Sequence, residues 1–573
     1  MILKALYDYY HRLQAIDNSL APFGFKHQKI HFVLVVDRDG RLLDIEDMRI
    51  DKKTTKTFLA VDASRTAGIK AYMMYDNAMY VLNHPKEDTD KEKENARKRN
   101  EAFINECRRL KDKYPENEEF AAVVKFYEND GINAVKQHDM WPDILKVTGA
   151  NFSFRLAGRL NIAASSDDLK NEIDTGTENT PDNNHPVCLI MGNKEAPQEI
   201  LSPTPIAGGK SNGKLVAFQV SSGYDSYGHQ KGLNAPISKS AAAAFSTALL
   251  SLLDRNSHNK ISVGSRTFVF WSSVPSEDEK IVTEGIGSIF GFAPQSIDDP
   301  NAGVDKVRED FKTLYNGLRA SGSQDSFYFL GLAPNAARIA VVYWQECMLT
   351  QFLSNILRHF ADMEIIDTRK TKKPYAGLYS MLAAAKSKKE KELPQPNLIE
   401  AVIKSILQGI PYPATLYNSV LRRIRMENDP SVTRIAVIKA YINRLSETKQ
   451  KITIMLNPSE TNIGYVAGRL FAVFDRIQYR ANGINTIRER YMNAASATPA
   501  VVFPTLFNLN NHHLQKLDKG LQVYYDKIKQ EIMSLLPSDG FPSHLNLKDQ
   551  GRFFVGYYHQ NAKFFEKQNT ENE

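Results

Sequence analysis

The sequence predicts an α+β fold, in which a mixed α/β N-terminal region is followed by an all-α C-terminal helical bundle. Short apolar runs bounded by turn residues, which are typical of strands, are concentrated in the first 345 residues, whereas helical periodicity dominates the remainder. Because 573 residues exceed what one hydrophobic core accommodates, we expect two to four domains. We divide the chain into a mixed domain at 1–345, a basic helical region at 346–450 and a C-terminal bundle at 451–573.

The N-terminal region is predicted to begin with a helix and to continue with strands. Residues 29–36 form an apolar run that ends at the turn Asp37-Arg38-Asp39-Gly40. Residues 86–113 predict an exposed helix with an apolar stripe, and a polar insertion or mobile loop is expected at 166–186. The stripe comprises Ala102, Phe103, Cys107 and Leu110. Further strands are predicted at 187–190, 215–220, 266–272, 326–330 and 339–344, with a helix at 304–320.

The C-terminal half is predicted to be helical. We expect an amphipathic helix at 345–358, short helices at 397–451 and a bundle from Pro458 onward. Gly464 and Gly468 are four residues apart and therefore fall on one helix face. Because glycine has no Cβ, this face would permit another backbone to approach closely.

Composition is that of an ordinary globular protein, with 42% hydrophobic and 24% charged residues. No apolar run approaches the roughly 20 residues that a membrane helix needs, and the N-terminus lacks the pattern of a secretory signal. Cys107, Cys188 and Cys347 are too far apart in sequence to suggest a metal or redox pair. These features fit a reducing cytoplasm and a protein without a membrane partner.

Positive charge is concentrated in one segment of the chain. The net charge is +7, but residues 367–451 alone hold 17 Lys or Arg against 7 Asp or Glu. A concentration of this kind favours a polyanionic ligand, most simply nucleic acid. The alternative is a solvated helical surface with no ligand.

A polar, glycine-rich and tyrosine-containing loop follows the predicted strand at 215–220. Its main-chain donors, amides and hydroxyls suit contact with a polymer or a partner surface. Tyr224 and Tyr227 lie in this loop, where their rings would be available to stack on bases or to wedge between base pairs. The alternative is a loop packed by its own aromatic rings. Ser238 is expected to cap the helix that follows.

The sequence offers little support for catalysis, and no cofactor, metal site or catalytic residue is predicted. Gly209-Lys210-Ser211 matches the end of a phosphate-binding loop, but Thr204 stands where the motif requires its first glycine. Asn212-Gly213 then predicts a turn instead of the required helix. His512-His513 is an adjacent pair without ligands at metal-binding spacing, so we interpret it as a surface or partner contact.

Five segments, in order along almost the whole chain, resemble the large subunit of type I-C CRISPR surveillance complexes (Cascade), the Csd family. The opening segment is Met1-Ile2-Leu3-Lys4-Ala5-Leu6-Tyr7-Asp8-Tyr9-Tyr10. The second is Arg65-Thr66-Ala67-Gly68-Ile69-Lys70 with Asp76-Asn77 and Tyr80-Val81-Leu82; the third is Ser226-Tyr227-Gly228 with Gln230, Gly232 and Asn234-Ala235-Pro236. The fourth runs from Phe327 to Arg338 and the fifth from Asn462 to Val473. The chain departs from the family pattern at Glu199-Ile200-Leu201-Ser202-Pro203, where a His-Pro pair is usual.

The resemblance implies a non-catalytic subunit at the foot of Cascade, beside the 5′ end of the guide RNA. It implies that the subunit recognises the protospacer-adjacent motif on double-stranded DNA, starts R-loop formation and helps recruit a helicase-nuclease in antiviral defence. The implied partners are the CRISPR guide RNA, target DNA, the helicase-nuclease and the backbone, guide-end and small subunits. Two alternatives remain, a guide-RNA processing endonuclease and a structural scaffold that contacts RNA only.

Three groups of residues are the predicted nucleic-acid contacts. An N-terminal block offers cations and one amide, the polar loop offers phenols, hydroxyls and amides, and a helix of the basic segment offers arginines. Asn77 has an alternative role as a cap of a helix or turn. The residues are Lys52, Lys53, Lys56, Arg65 and Asn77; Tyr224, Ser226, Tyr227, Gln230 and Asn234; and Arg422, Arg423 and Arg425. Arg434, Lys439 and Arg444 follow the arginine group at loosely helical spacing.

The C-terminal bundle is predicted to exist also as a separate polypeptide. Cascade assemblies contain copies of a small helical subunit, and in systems that resemble this one it arises by internal translation of the large-subunit gene. Met455 is the candidate start because it precedes a predicted helix start and leaves 119 residues. Met426 and Met492 are less well placed, and the alternative for Met455 is an ordinary methionine of a fused domain.

Overall fold

The computed structural model covers the 573-residue chain. The structure describes all residues except 18–19, 51–53, 63–67, 174–184, 219–227, 274–275, 291–301, 337, 369–376, 388–389, 391–395, 447–450 and 566–573. Strands and helices alternate in the N-terminal part and helices dominate the C-terminal part, which confirms the predicted α+β class.

The chain divides into two compact units. The first unit comprises residues 1–204 and 214–251, and the second comprises residues 205–213 and 252–573. The position chosen between 345 and 346 lies within a strand of the second unit, because the hydrophobic core beneath that strand continues into the C-terminal helices. The assignment of functions to 1–345, 346–450 and 451–573 stays a prediction.

The first unit contains a four-stranded sheet, a two-stranded sheet and seven α-helices among its described residues. Its strands are β1 Phe25–Lys29, β2 Phe32–Val36, β3 Leu42–Asp47, β4 Thr57–Val61, β5 Tyr75–Asn77 and β6 Asn151–Leu156. Its helices are α1 Ile2–Asp17, α2 Ala78–Val81, α3 Asp90–Lys113, α4 Glu118–Glu128, α5 Gly131–Gln137, α6 Trp141–Leu145 and α7 Lys239–Leu253. The larger sheet has the order β3-β2-β6-β5, in which β2 and β6 are parallel, and β1 pairs with β4.

In its described ranges, the second unit contains one antiparallel sheet, in the order β10-β9-β8-β7, and a large helical part. Its strands are β7 Lys260–Val263, β8 Arg266–Ser272, β9 Ser326–Asn335 and β10 Arg338–Met348. Its first helices are α8 Ser276–Ile289, α9 Ala302–Ser321, α10 Leu349–Met363, α11 Leu378–Ala384, α12 Pro396–Gln408, α13 Ala414–Glu427 and α14 Val432–Leu445. The bundle then consists of α15 Ile463–Asn482, α16 Thr486–Ala497, α17 Pro499–Leu514, α18 Lys519–Met533 and α19 Leu547–Phe565.

Several predicted elements are confirmed. Helix α3 buries Phe103, Cys107 and Leu110 on one face, while Ala102 is half-buried. Helix α9 and strands β8 and β9 match the predictions at 304–320, 266–272 and 326–330. In the predicted insertion at 166–186, residues 167–172 form a 3₁₀ helix and 174–184 lie outside the described residues.

Four predicted elements were wrong in part. The run 29–36 is divided between β1 and β2, because Ile30 donates to Lys56 whereas His31 donates to Asn151. Residues 187–190 contain only an isolated bridge from Val187, since Gly192, at a φ of 77°, closes a turn. Of the strand predicted at 215–220, residues 215–218 form none and have half-buried or exposed side chains, and 219–220 lie outside the described residues. The helix predicted at 345–358 begins only at Leu349, because β10 continues to Met348.

The glycine face of α15 packs against α19, which confirms the predicted close approach of another backbone. A Cβ on Gly464 would overlap the carbonyl oxygen of Asp549, and a Cβ on Gly468 would overlap that of Phe553. Gly556 of α19 makes the reciprocal contact with the backbone of Tyr465. Three glycines therefore allow the two helix backbones to lie in direct contact along the centre of the bundle.

Candidate nucleic-acid interface

The structure describes seven of the thirteen predicted contact residues. Lys52, Lys53, Arg65, Tyr224, Ser226 and Tyr227 lie outside the described residues, so their roles stay predictions. The described residues fall in both units. Lys56, Asn77, Gln230 and Asn234 belong to the first unit, and Arg422, Arg423 and Arg425 belong to the second.

Lys56 presents an exposed side chain from a fixed backbone. Its N–H donates to the Met48 carbonyl at 2.9 Å, and its carbonyl accepts from the Ile30 N–H at 3.3 Å. The residue immediately precedes β4, so both neighbouring segments are held in place. An exposed ammonium on such a backbone suits contact with a phosphate group.

Arg49, which was not among the predicted contacts, has a structural role near Lys56. Its guanidinium binds both carboxylate oxygens of Asp47, with Nε 2.8 Å from Oδ1, and it lies 5.0 Å from the ring centroid of Phe32. The hydrogen bonds from Arg49 lower the pKa of the Asp47 carboxyl group. The spacing of Asp47 and Arg49, two residues apart at the end of β3, was the sequence signal for this pair.

Asn77 occupies the capping position that the sequence left as its alternative. It precedes α2, and its Oδ1 accepts from the Met79 N–H at 3.1 Å. The side-chain oxygen is therefore engaged, and a role in reading a base edge would fall to the Nδ2 amide group.

The end of the polar loop is held by its backbone and leaves Gln230 exposed. Asn234 Nδ2 donates to the Lys231 carbonyl at 3.0 Å, and the Lys231 ammonium lies 2.9 Å from Glu199 Oε2. Gly232 donates its N–H to the Glu199 carbonyl, and a Cβ there would overlap the Gln198 carbonyl. Asn234 thus stabilises the turn, and Gln230 is the amide that faces solvent.

The helix after this loop begins as predicted, and a buried thiol secures its start. Ser238 Oγ accepts from the Ala241 N–H at 3.3 Å, which confirms the predicted cap. The Ser238 N–H donates to Cys188 Sγ at 3.3 Å. Burial alone would raise the pKa of the Cys188 thiol, but hydrogen bonds from Ser238, Met191 and Ile190 outweigh it and lower that pKa.

The three predicted arginines of α13 differ in their surroundings. Arg422 is exposed and Arg423 is half-buried. Arg425 donates from Nε to Asn493 Oδ1 at 2.8 Å and from Nη1 to Gln550 Oε1 at 3.3 Å. Arg425 therefore connects α13 to α16 and α19, and Arg422 and Arg423 are better placed for a ligand.

The cations that follow on α14 are buried, which corrects their interpretation as a continuation of the basic surface. Arg434, Lys439 and Arg444 are 3%, 2% and 8% exposed. Arg434 binds Glu427, Arg444 binds Asp362, and Lys439 donates to the Asp362 carbonyl at 2.9 Å. Burial lowers the pKa of Lys439 to about 8. A count of charged residues takes no account of burial. The apolar residues Ile435, Val437 and Ile438 beside these cations are the sequence signal that α14 lies inside the core.

The described residues show neither a metal cluster nor a membrane helix. Within the described ranges, no group of three or more His, Cys, Asp or Glu side chains is arranged to hold a metal ion. In the same ranges, every helix is too short or too polar to cross a bilayer.

Comparison with known proteins identifies one family. The family model described as CRISPR-associated protein (Cas_Csd1) matches residues 6–565, which is nearly the whole chain. No curated protein matches the sequence.

Proposed function

Because the chain belongs to the Cas_Csd1 family of CRISPR-associated proteins and is a large subunit of Cascade, we propose that it recognises the protospacer-adjacent motif on double-stranded DNA. We also propose that it starts R-loop formation and helps recruit a helicase-nuclease. Its proposed partners in the cytoplasm are the guide RNA and the other Cascade subunits. The match over residues 6–565 carries the proposal. In RNA-guided complexes the guide supplies sequence specificity by pairing, while protein contacts read a short motif.

Gln230 is the residue that we expect to affect motif recognition. Changing Gln230→Ala should weaken binding of a reconstituted complex to a motif-bearing duplex about 10-fold, because a good amide–base contact contributes roughly 1–3 kcal/mol. Binding to motif-free DNA should change little. Electrophoretic titration of the two duplexes measures both affinities.

Gln515→Ala is the matched control, because Gln515 is also exposed but follows α17 in the other unit. This variant should leave both affinities unchanged. Equal losses on motif-bearing and motif-free DNA for Gln230→Ala would contradict base reading and indicate a backbone contact.

Arg422 and Arg423 of α13 are proposed to hold the displaced strand or the guide–target hybrid. Each phosphate contact releases counterions, so the logarithm of the binding constant should fall steeply with the logarithm of salt concentration. Replacing Arg422 and Arg423 together by alanine should flatten this slope by up to about two units. Lys519 and Lys527, both exposed on α18, provide a matched double variant that should keep the slope. An unchanged slope in the arginine variant would identify these residues as a solvated face.

Met455 is proposed as an internal translation start that releases the bundle. Met455 lies between α14 and α15, whereas Met426 lies within α13 and Met492 within α16. In the full chain, α19 also packs outside this segment, since Gly551 lies against Tyr417. A released segment would expose that surface to a new partner.

The gene carrying Met455→Leu should yield a complex that lacks a fragment of 119 residues. Native mass spectrometry of the purified complex, compared with the complex from the unchanged gene, measures this. A fragment that persists after the substitution, or is absent before it, would refute this start.

Two other functions are separated by direct assays. A guide-RNA processing endonuclease would cleave guide precursor, whereas the proposed subunit binds without cleavage. A scaffold that contacts RNA only would assemble normally and fail to capture duplex DNA even when its polar loop is intact.

A further inference from the structure

One arginine of the C-terminal bundle lies among aromatic rings without a carboxylate partner. The guanidinium of Arg476, on α15, lies 4.7 Å from the ring centroid of Phe565 and 5.9 Å from that of Tyr479. Phe564 adds a third ring at 5.9 Å. No described residue forms a hydrogen bond or an ion pair with the Arg476 side chain. Asp475, its neighbour in the chain, is buried and hydrogen-bonded within the bundle.

Such rings leave the hydrogen-bonding capacity of the guanidinium unused. Their π-electrons attract the positive charge, but they accept none of its five N–H groups in ordinary hydrogen bonds. Arg476 is half-buried, so water has access to only part of its side chain. A carboxylate at the edge of a guanidinium accepts two parallel hydrogen bonds, each about twice as strong as a bond between neutral groups. Arg476 is therefore suited to a carboxylate from another molecule.

The rings around Arg476 form an exposed surface, which we call the aromatic patch and define as Arg476, Tyr479, Tyr524 and Phe565. Phe565, Tyr524 and Tyr479 are 59%, 47% and 46% exposed. Burial raises the pKa of the Tyr524 phenol, and the nearby charge of Arg476 opposes that rise. The three helices α15, α18 and α19 thus contribute to one surface.

We propose that the aromatic patch docks another protein subunit of Cascade, through a segment that places a carboxylate beside apolar side chains. Tyrosine, phenylalanine and arginine are enriched at the centres of protein interfaces, where lysine and acidic residues are scarce. Arg480, one turn after Arg476, is also exposed, and its charge adds to the preference for an acidic segment. The apolar character of the patch suits a permanent partner better than a transient one.

Unpaired nucleic acid is a less suitable occupant of the aromatic patch. Bases stack on free ring faces, whereas the guanidinium of Arg476 already lies over the rings of Tyr479 and Phe565. The family match makes the chain a subunit of Cascade, which contains other Cas subunits. Docking at the aromatic patch depends on this membership and is independent of motif recognition.

Zero-length cross-linking tests which group meets the side chain at position 476. Arg476→Lys keeps the positive charge and supplies an amine, which a carbodiimide joins by an amide bond to a carboxyl group in direct contact. In the complex reconstituted with guide RNA, we expect mass spectrometry to find this amine joined to an Asp or Glu of another subunit. Arg319→Lys, at an exposed arginine in the last turn of α9, sets the background of coupling.

An affinity measurement tests the strength of docking. Arg476→Ala together with Phe565→Ala should weaken association of the subunit with the immobilised remainder of the complex at least about 10-fold, because arginine and aromatic anchors dominate interface energies. Arg319→Ala should leave this affinity unchanged. Thermal unfolding of the free variants checks that they are folded, and cross-linking of Arg476→Lys decides the question if the double variant is not.

Two results would overturn docking of a subunit at the aromatic patch. One is coupling at the background level or only to carboxylates of the same chain, and the other is an unchanged affinity in the folded double variant. Weakened binding of the free double variant to single-stranded DNA, with normal assembly, would assign the patch to nucleic acid and also overturn the proposal. Binding of motif-bearing duplex by the unmutated complex is measured separately, so failure of docking at the patch leaves the proposed function intact.

Discussion

Replacing Gly468 by alanine is expected to lower the free energy of unfolding by about 3 kcal/mol, near the upper end for overpacking of a filled core. The added methyl group would overlap the Phe553 carbonyl oxygen, which belongs to the backbone of α19. A flexible side chain would rotate away, but a helix backbone moves only if the whole contact between α15 and α19 opens. Alanine's better helix propensity, about 1 kcal/mol, offsets only part of this loss.

Gly317→Ala is the matched control for this prediction. Gly317 lies within α9, is exposed, and has no atom within 4 Å of its Cβ position. The same substitution should therefore raise the free energy of unfolding by about 0.5–1 kcal/mol. Thermal unfolding of the two purified variants beside the unchanged chain measures both effects. Shifts of the same sign would show that the α15–α19 contact is looser than the structure indicates.

The sequence predicted this seam because spacing alone determines which residues share a helix face. Gly464 and Gly468 are four residues apart, and the face they form is independent of tertiary context. The sequence did not predict α19 as the partner helix, because Gly468 and Phe553 are far apart in the chain and no local sequence pattern relates them. Periodic patterns therefore predicted the elements, and the contacts between distant elements required the structure.

The polar loop and the strand predicted before it illustrate where local reasoning fails. Residues 215–218 are apolar enough to resemble a strand, but no strand among the described residues pairs with them. Ser238 was predicted correctly because a helix cap depends only on its own chain segment. For Asn77 the sequence offered both a base contact and a cap, and the structure shows that its side chain caps α2.

Charge counts were the weakest guide to the candidate site. The segment 367–451 has an excess of ten positive charges, yet three of its cations are buried inside the protein, namely Arg434, Lys439 and Arg444. A buried cation requires partners, and each of the three has a carboxylate or carbonyl oxygen within the second unit. The surface of this segment is therefore less basic than the sequence suggests.

Arg444 shows how much of this charge is structural. Its Nε donates to Asp362 Oδ2 at 2.6 Å, and its Nη1 donates to the carbonyls of Ser405 at 2.6 Å and Ile410 at 2.5 Å. The guanidinium also lies 3.9 Å from the ring centroid of Tyr412. One side chain thus connects α14 to α10, to α12 and to the segment after α12. The planar guanidinium satisfies these acceptors together, which an ammonium group does not.

Changing Arg444→Met should therefore lower the free energy of unfolding by about 3 kcal/mol, because the Asp362 carboxylate, whose side chain is only 14% exposed, would lose its buried partner. Arg444→Lys should recover only part of this loss. Arg422→Ala, at an exposed position, should change stability by less than about 0.5 kcal/mol.

Denaturant unfolding of the free subunit measures stability, and salt titration of the reconstituted complex measures DNA binding. Arg444→Met should lower stability without flattening the salt slope of DNA binding. The double variant of Arg422 and Arg423 should flatten the salt slope without lowering stability. A flattened slope with unchanged stability in Arg444→Met would mean that this arginine reaches DNA and that its burial is not maintained in the complex.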